Sequence, residues 1–187
     1  MKSEEMGKLV VISAPSGTGK GTVIGQLLKL KPEFIFSVSA TTRAPRLGED
    51  NGVEYLFIDH DEFHKMISND EFLEYAEYVG NYYGTPVKPV NENLKIGKTV
   101  ILDIEVQGAK QVMQKRTEAV TIFIVPPSLE ELEKRLRGRG TDSEAKVIAR
   151  LERARQELEE QYSYKHVVIN DWYKRAAQEI LDIITIN

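Results

Sequence analysis

Runs of consecutive apolar residues recur along the chain at Leu9–Ser13, Thr99–Ile104, Ala119–Val125 and His166–Asn170. These runs are rich in β-branched side chains and do not alternate with polar residues. That pattern is typical of strands buried on both faces, as in a parallel sheet covered by helices. The run Phe34–Val38 is a candidate for a fifth strand.

Segments with a helical spacing of apolar residues follow these runs, and the alternation predicts a doubly wound α/β fold. The first helix is expected to end near Lys31, because Pro32 cannot continue it. Two more helices are expected around Val106–Met113 and after Asn170 or Asp171. Capping signals predict further helix starts: Asp59 with Glu62, Thr85 with Pro86 at the first helical position, Ser128 with Glu131, and Thr141 with Glu144.

The segment from Ser39 to about Thr99 interrupts this alternation, since it is rich in Tyr, Asn, Gly and Asp. Its predicted strands are short and antiparallel: Tyr55–Ile58, Leu73–Val79 and Tyr82–Tyr83. We therefore expect the 187 residues to form a single domain. A core of residues 1–38 and 99–187 would carry an inserted lobe of about residues 39–98.

The composition narrows the functional classes. Apolar residues make up 41% of the chain and charged residues 29%, as in soluble globular proteins. The net charge of −4 argues against general nucleic-acid or membrane-surface binding, since both favour a basic excess. The sequence contains no cysteine, no signal-peptide pattern and no apolar run near the roughly 20 residues of a membrane span. We expect a cytoplasmic protein with no nucleic-acid or membrane partner, and its oligomeric state stays open.

A glycine-rich turn joins the first predicted strand to the first helix. Against the phosphate-loop pattern G-x-x-x-x-G-K-S/T, Ala14 replaces the first glycine and Gly21 replaces the final hydroxyl residue. Such a loop wraps backbone N–H groups around phosphate oxygens, and the following helix adds the positive end of its dipole. The predicted nucleotide-binding residues are Ala14, Pro15, Ser16, Gly17, Thr18, Gly19, Lys20, Gly21 and Thr22.

An acidic residue ends the apolar run Val100–Asp103. At the carboxyl end of a core strand, Asp103 would lie near the phosphate loop and could hold Mg²⁺ directly or through water. The alternative is a helix cap, because many buried strands end in aspartate.

Basic residues cluster around the glycine-rich segment RGRGT. Arginines on a mobile segment can position a phosphoryl group and neutralise its charge. Glu131 and Glu133 each precede an arginine by four residues, so ion pairs on a solvated helix face are the alternative. We assign Lys134 and Arg137 to that face, and Arg139, which lies between two glycines, to a functional role.

The run SATTRAPRLGEDNGVEY holds Arg43 and Arg46, separated by a proline. Guanidinium groups this close repel each other unless an anion lies between them. Downstream, Glu74 lies among aromatic residues in FLEYAEYVGNYYG. The hydroxyl groups of Tyr55 and Tyr83 could reach a phosphate, whereas packing is the preferred interpretation of the other tyrosines in this region: Tyr75, Tyr78 and Tyr82.

Five segments, in this order, resemble guanylate kinases: SAPSGTGKGT, SVSATTRAPRLGEDNGVEY, EFLEYAEYVGNYYGTP, VILDIEVQG and KRLRGRGT. The resemblance extends from about Lys8 to the final helix. It implies a P-loop three-layer fold, with a central parallel sheet flanked by helices, a small α+β GMP-binding lobe at about residues 39–98 and a lid at about 137–147. The activity it implies is transfer of the γ-phosphoryl group of ATP to GMP, with Mg²⁺, in purine nucleotide metabolism.

The resemblance also implies roles for individual residues. Catalytic roles fall on Lys20, Arg43, Arg135, Arg139 and Arg150. The GMP phosphate would be held by Arg43, Arg46, Tyr55 and Tyr83. The guanine edge would meet Glu74, with Ser39 and Thr85 as further polar contacts. Asp103 and Glu105 match acidic substrate-site positions, and Asn170 and Asp171 fall where adenine packs.

Position 21 bears on the metal. Because Gly21 carries no hydroxyl and Thr22 is rotated about 100° around the helix, we expect Mg²⁺ to be held by ATP oxygens and water, with Asp103 behind. Two alternatives stay open: a non-catalytic guanylate-kinase-like domain that binds phosphopeptides, and another small-molecule P-loop kinase. The first lacks an intact phosphate loop in its usual form, and Glu74 with the paired arginines disfavours the second.

Overall fold

A computed structural model describes residues 6–138 and 143–187. The strands are β1 (Leu9–Ser13), β2 (Ile35–Phe36), β3 (Ala40–Thr41), β4 (Leu56–Phe57), β5 (Phe72–Tyr78), β6 (Asn81–Pro86), β7 (Val100–Asp103), β8 (Val120–Val125) and β9 (His166–Ile169). The helices are α1 (Lys20–Leu30), α2 (His60–Ser68), α3 (Val87–Lys95), α4 (Val106–Lys115), α5 (Leu129–Arg137), α6 (Glu144–Leu158) and α7 (Tyr173–Ile186). A 3-10 helix covers Glu159–Ser163.

The predicted core strands form one sheet. Within the described residues its order is β2-β7-β1-β8-β9, and the pairs β2–β7, β1–β8 and β8–β9 are parallel. Every residue of β1 and β8 is buried, as the unbroken apolar runs require. β1 has the predicted bounds, while β7, β8 and β9 lie within one residue of theirs. The predicted α/β class is confirmed.

The chain divides into two compact units. The first unit comprises Met1–Leu9, Phe34–Leu102 and Gln107–Ala119. The second unit comprises Val10–Glu33, Asp103–Val106 and Val120–Asn187. None of the helices in the described part of the chain is long and apolar enough to cross a membrane.

The first unit contains a four-stranded sheet of order β4-β3-β6-β5. β6 pairs antiparallel with β3 and β5, but β4 pairs parallel with β3, at Ala40↔Leu56 and Thr41↔Phe57. The prediction that all strands here are antiparallel was therefore wrong for β4. A long connection, residues 42–55, returns the chain to the starting end of β3, which a short hairpin turn cannot do.

Two predicted caps are confirmed and one is wrong. The side chains of Asp59 and Ser128 accept hydrogen bonds from the third residue of α2 and α5, at 2.8 and 3.1 Å. Thr85 does not cap α3, because β6 continues to Pro86 and the Thr85 hydroxyl is bonded elsewhere. α6 begins after Ser143, whose side chain caps it, while the predicted cap Thr141 lies outside the described residues.

An aromatic stack holds α2 against the sheet of the first unit. The ring of Phe63, fully buried, lies 4.5 Å from that of Phe72 and 5.3 Å from that of Tyr82. Tyr82 is a packing residue, as predicted. The stack thus packs α2 against β5 and β6, the strands that carry Glu74 and Tyr83.

Replacing the central ring of this stack tests how much the stack contributes to the stability of the fold. Phe63→Ala should lower the free energy of unfolding by about 3–5 kcal/mol, because a buried aromatic ring is replaced by a cavity. Urea denaturation measures the change, and Val53→Ala, at a side chain 60% exposed, is the control with an expected change below about 0.5 kcal/mol. Equal effects of the two substitutions would contradict the assignment.

Candidate active site

The phosphate loop of the second unit depends on two glycines. Gly17 and Gly19 have φ of 91° and 92°, in the left-handed region that L side chains rarely adopt. Space is limiting as well: a Cβ on Gly17 would lie 2.6 Å from a methyl carbon of Leu136, and a Cβ on Gly19 would lie 2.9 Å from Nδ2 of Asn170. Larger residues would therefore deform the loop.

The loop ends at the N-terminus of α1. Gly19 is the N-cap, and no described side chain makes a capping hydrogen bond there. The first-turn N–H groups therefore point out of the helix end, where the dipole favours an anion. Gly21 and Thr22 are exposed on this first turn, whereas Ala14 and Pro15 are buried at the start of the loop.

Lys20 lies between the loop and the end of β7. Its Nζ is 2.5 Å from Oδ1 of Asp103 and donates a hydrogen bond to the carbonyl oxygen of Ile104 at 3.2 Å. Their side chains are 18% and 26% exposed, so the pair is in reach of a ligand. The structure thus brings together the lysine and the acidic residue that the sequence assigned to one site.

Arg135 and Asn170 brace the loop. The Arg135 guanidinium donates to the carbonyl oxygens of Thr18 and Asn170 at 3.3 and 3.0 Å. Nδ2 of Asn170 donates to the same Thr18 oxygen at 2.7 Å. The predicted pair with Glu131 is also present, at 3.2 Å, so Arg135 is both a helix-face residue and a loop contact.

Arg150 reaches the loop from α6. Its Nη2 donates to Oγ of Ser16 at 3.0 Å, and the backbone N–H of Ser16 donates to Glu157 at 3.3 Å. Arg153 joins Glu157, at 2.7 Å, to Glu105, at 3.2 Å. Sequence analysis missed Glu157 and Arg153, for which the only signal was their four-residue spacing on α6.

Asp171 and Arg137, two other predicted residues of this unit, contact neighbours outside the phosphate loop. Asp171 is exposed and accepts hydrogen bonds from the Trp172 backbone and the Arg175 side chain. Arg137 pairs with Glu133, which confirms its assignment to the helix face. Arg139 lies outside the described residues.

In the first unit, a carboxylate holds the first of the two paired arginines. Two nitrogens of Arg43 donate to the two oxygens of Glu49 at 2.9 Å each, and the Arg46 backbone N–H donates to Glu49 at 2.7 Å. Hydrogen bonding to Glu49 raises the pKa of Arg43, and the same bond, with that from Arg46, lowers the pKa of Glu49. Glu49 is thus an anion that pairs with the Arg43 guanidinium and meets Arg46 through its backbone, and sequence analysis did not identify it.

Aromatic rings surround the Arg43 guanidinium. Its central carbon lies 5.3 Å from the ring centroid of Tyr55, and the rings of Tyr55 and Tyr83 meet edge to face at 6.0 Å. Tyr83 contributes a hydrogen bond that also raises the pKa of Arg43. Three residues predicted to bind a phosphate therefore lie together, while the exposed Arg46 joins them through its backbone.

Glu74 is a carboxylate buried in the same unit, with 5% of its surface exposed. Oε1 accepts a hydrogen bond of 2.6 Å from the hydroxyl of Thr85. Burial raises the pKa of Glu74, while the Thr85 bonds and the charge of Lys115 oppose this effect. Ser39, partly buried, joins the sheet through its carbonyl oxygen, which accepts from Leu56 at 2.9 Å.

The arrangement of the first unit suits a phosphorylated base. A bidentate guanidinium beside tyrosine rings can bind a phosphate, and a buried carboxylate can accept two N–H donors from one edge of a planar ligand. In the second unit, the N-terminus of α1 is a place where backbone N–H groups can bind a phosphate.

Comparisons of the sequence and of the structure with known proteins point to one family. A family model described as guanylate kinase matches residues 6–186. A guanylate kinase of Trichodesmium erythraeum is 49% identical over 180 residues, covering 96% of this chain and 97% of that protein. One of Lactococcus lactis is 51% identical over 180 residues, covering 96% and 88%. The crystal structure of guanylate kinase from Anaplasma phagocytophilum matches with a TM-score of 0.78 at 36% identity, covering 98% of this chain and 87% of that one.

The pKa of Glu74 has a consequence for stability. Because burial raises it, the folded chain keeps a proton that the unfolded chain releases as the pH rises above the ordinary glutamate value, so stability should fall through this window. Glu74→Gln lacks this dependence. Urea unfolding between about pH 4.5 and 8 should show the variant gaining stability relative to the wild type as the pH rises. Parallel curves would contradict a raised pKa.

Proposed function

This chain belongs to the guanylate kinase family, and we propose that it transfers the γ-phosphoryl group of ATP to GMP and releases ADP and GDP. Enzymes of this family are ATP-dependent nucleoside monophosphate kinases, and the chain is a phosphotransferase of this class. The observation that carries the choice of GMP is the buried carboxylate of Glu74 with its bond to Thr85.

Glu74 suits guanine by its hydrogen-bonding capacity. A carboxylate accepts from the N1–H and the 2-amino group of guanine together, and adenine has neither donor on that edge. With adenine, a carboxylate that is almost fully buried would lose these partners, which is a strong basis for rejection. Ser39 and Thr85 are proposed as further polar contacts.

The GMP phosphate is proposed to bind at the tyrosine–arginine cluster. Arg43, with Tyr55 and Tyr83 around it, is held by Glu49 in this structure, and a phosphate presents the same paired oxygens to the guanidinium. Arg46 would add a second positive charge from its exposed position. Because these residues and Glu74 all fall within it, we propose residues 39–98 as the GMP-binding lobe.

ATP is proposed to bind at the phosphate loop, with Asn170 and Asp171 near its adenine. The N–H groups of the α1 terminus and Lys20 would hold the phosphates. Phosphoryl transfer needs positioning and charge neutralisation more than covalent chemistry, and no strong base is required when the acceptor is a phosphate oxygen. Arg135 and Arg150 already contact the loop, and Arg139, in the proposed lid of residues 137–147, would add to them.

The donor set fits a magnesium ion bound mainly by its nucleotide. Among the described residues, no group of three or more acidic or histidine side chains could hold a metal alone. Asp103 ends β7, and Glu105 lies two residues later, before α4. Asp103 offers the carboxylate that Mg²⁺ takes alongside phosphate oxygens and water. When bound, Mg²⁺ would supply neutralisation of charge on the phosphates.

We propose a cytoplasmic role in purine nucleotide metabolism for this reaction. The net charge of −4 argues against nucleic acid or membranes as general partners. The intact Gly17–Gly19–Lys20 turn disfavours a purely phosphopeptide-binding domain, which needs no second phosphate site.

Removing the loop lysine tests the ATP half of the site. Lys20→Ala should lower kcat at least about 100-fold, since transition-state charge loses a fixed cation, while the KM for GMP changes less than about threefold. Rates of ADP release with ATP and GMP measure both. Lys29→Ala, exposed on the last turn of the same helix, is the control. Near-normal turnover of Lys20→Ala would remove the loop from the mechanism.

Neutralising the base-reading carboxylate tests the GMP half. Glu74→Gln should reduce the ratio of kcat/KM for GMP to that for AMP by about 100-fold or more, because the amide cannot accept both guanine donors. Glu77→Gln, exposed on the same strand, should leave the ratio unchanged. If Glu74→Gln kept the ratio, base recognition would lie elsewhere.

A further inference from the structure

Helix α4 runs along β5 in the first unit and holds the strand on both sides of Glu74. Gln111 accepts a hydrogen bond from the Tyr75 N–H at 3.2 Å and donates one to the Tyr75 carbonyl oxygen at 2.8 Å. Nζ of Lys115 donates to the carbonyl oxygen of Phe72 at 3.4 Å. The helix therefore fixes the strand backbone one residue after Glu74 and two residues before it.

The pairing of β5 is irregular where α4 holds it. Phe72 pairs with Pro86 but Glu74 pairs with Thr85, so the register shifts between them. Three successive side chains from Phe72 to Glu74 are buried, which a regular strand with one solvated face does not give. Such an irregularity re-aims a side chain at the cost of a ladder hydrogen bond.

Gly108 lies on the same face of α4, three residues before Gln111, and adjoins the carboxylate itself. A Cβ on Gly108 would lie 2.2 Å from Oε2 of Glu74 and 2.8 Å from its Cδ. The other oxygen, Oε1, is held by Thr85 at 2.6 Å. The carboxylate is thus confined between a hydroxyl and the bare backbone of a helix.

Glycine is a poor choice for a helix interior, where only proline is less favourable. Gly108 is the third residue of α4, within Val106–Lys115, and has no left-handed φ that would require glycine. The structure therefore gives one reason for glycine at position 108: the absence of a side chain leaves room for the Glu74 carboxylate.

We propose that α4 positions the base-reading carboxylate: Gly108 determines specificity by leaving space for Glu74, and Gln111 is a positioning residue that fixes the strand carrying it. This inference rests on the proposed role of Glu74 in guanine recognition. A methyl group at position 108 displaces the carboxylate toward Thr85, and the geometry for two guanine donors is lost while the phosphate sites are untouched.

The first test is Gly108→Ala, assayed for kcat/KM with GMP and AMP. The ratio should fall at least tenfold while the KM for ATP stays within twofold. Gly25→Ala is the matched control, since Gly25 is also inside a helix and its Cβ would meet no described atom within 4 Å beyond the adjoining residues of its own helix. In a Glu74→Ala background, adding Gly108→Ala should change the ratio less than twofold. An unchanged ratio in the single variant, or an equal further loss in the Glu74→Ala background, overturns the proposal.

Thermal unfolding gives a readout that does not need activity. Gly25→Ala should raise Tm, because alanine favours the helix. Gly108→Ala should lower Tm in the wild-type background and raise it in the Glu74→Ala background, where the methyl group has room. Equal shifts in both backgrounds overturn the contact. This result separates the inference from the proposed function, which fails instead if the wild-type protein does not phosphorylate GMP.

Gln111→Met is a second variant that tests the positioning role of α4 if Gly108→Ala does not fold. The substitution retains side-chain length but removes both bonds to Tyr75, so the GMP-to-AMP ratio should fall at least threefold with the KM for ATP unchanged. Gln114→Met, exposed on the same helix, is the control and should leave the ratio as it is. An equal ratio in the two variants overturns the positioning role.

Discussion

A carboxylate that is almost fully buried must either be protonated or be surrounded by groups that compensate its charge, and Glu74 places this constraint on the first unit. Its surroundings meet the constraint in part, through the Thr85 hydroxyl and the charge of Lys115. The Glu74 carboxylate can still accept hydrogen bonds from further donors. On the proposed function, guanine supplies these donors. The buried carboxylate that lowers the stability of the protein as the pH rises is then also the group that selects the base.

Counter-charges inside each unit prepare the proposed phosphate sites. Arg43 is held by Glu49 in the first unit, and Lys20 is held by Asp103 in the second. These four side chains are between 14% and 26% exposed, so each pair is partly accessible and an incoming phosphate can replace the carboxylate. Each cation is therefore kept in place before the phosphate arrives, which lowers the ordering cost of binding.

Local patterns in the sequence were sufficient for much of the fold. Buried strands such as β1 and β8 read as unbroken apolar runs, and the caps at Asp59 and Ser128 are set within a few residues. What sequence analysis missed depends on partners distant in the chain. Thr85 has the form of a helix cap, yet its hydroxyl is taken by Glu74, eleven positions away and on another strand. The space at Gly108 has no signature except a glycine inside a helix. The predicted roles of the site residues stay predictions.

The most direct test of this account is the initial rate of ADP release with ATP and each of GMP, AMP, CMP and UMP. We predict kcat/KM for GMP at least about 1,000-fold above that for AMP, as expected when a site built around hydrogen bonds meets an analogue without the donors. Absence of turnover with GMP, or comparable values for GMP and AMP, would contradict the account.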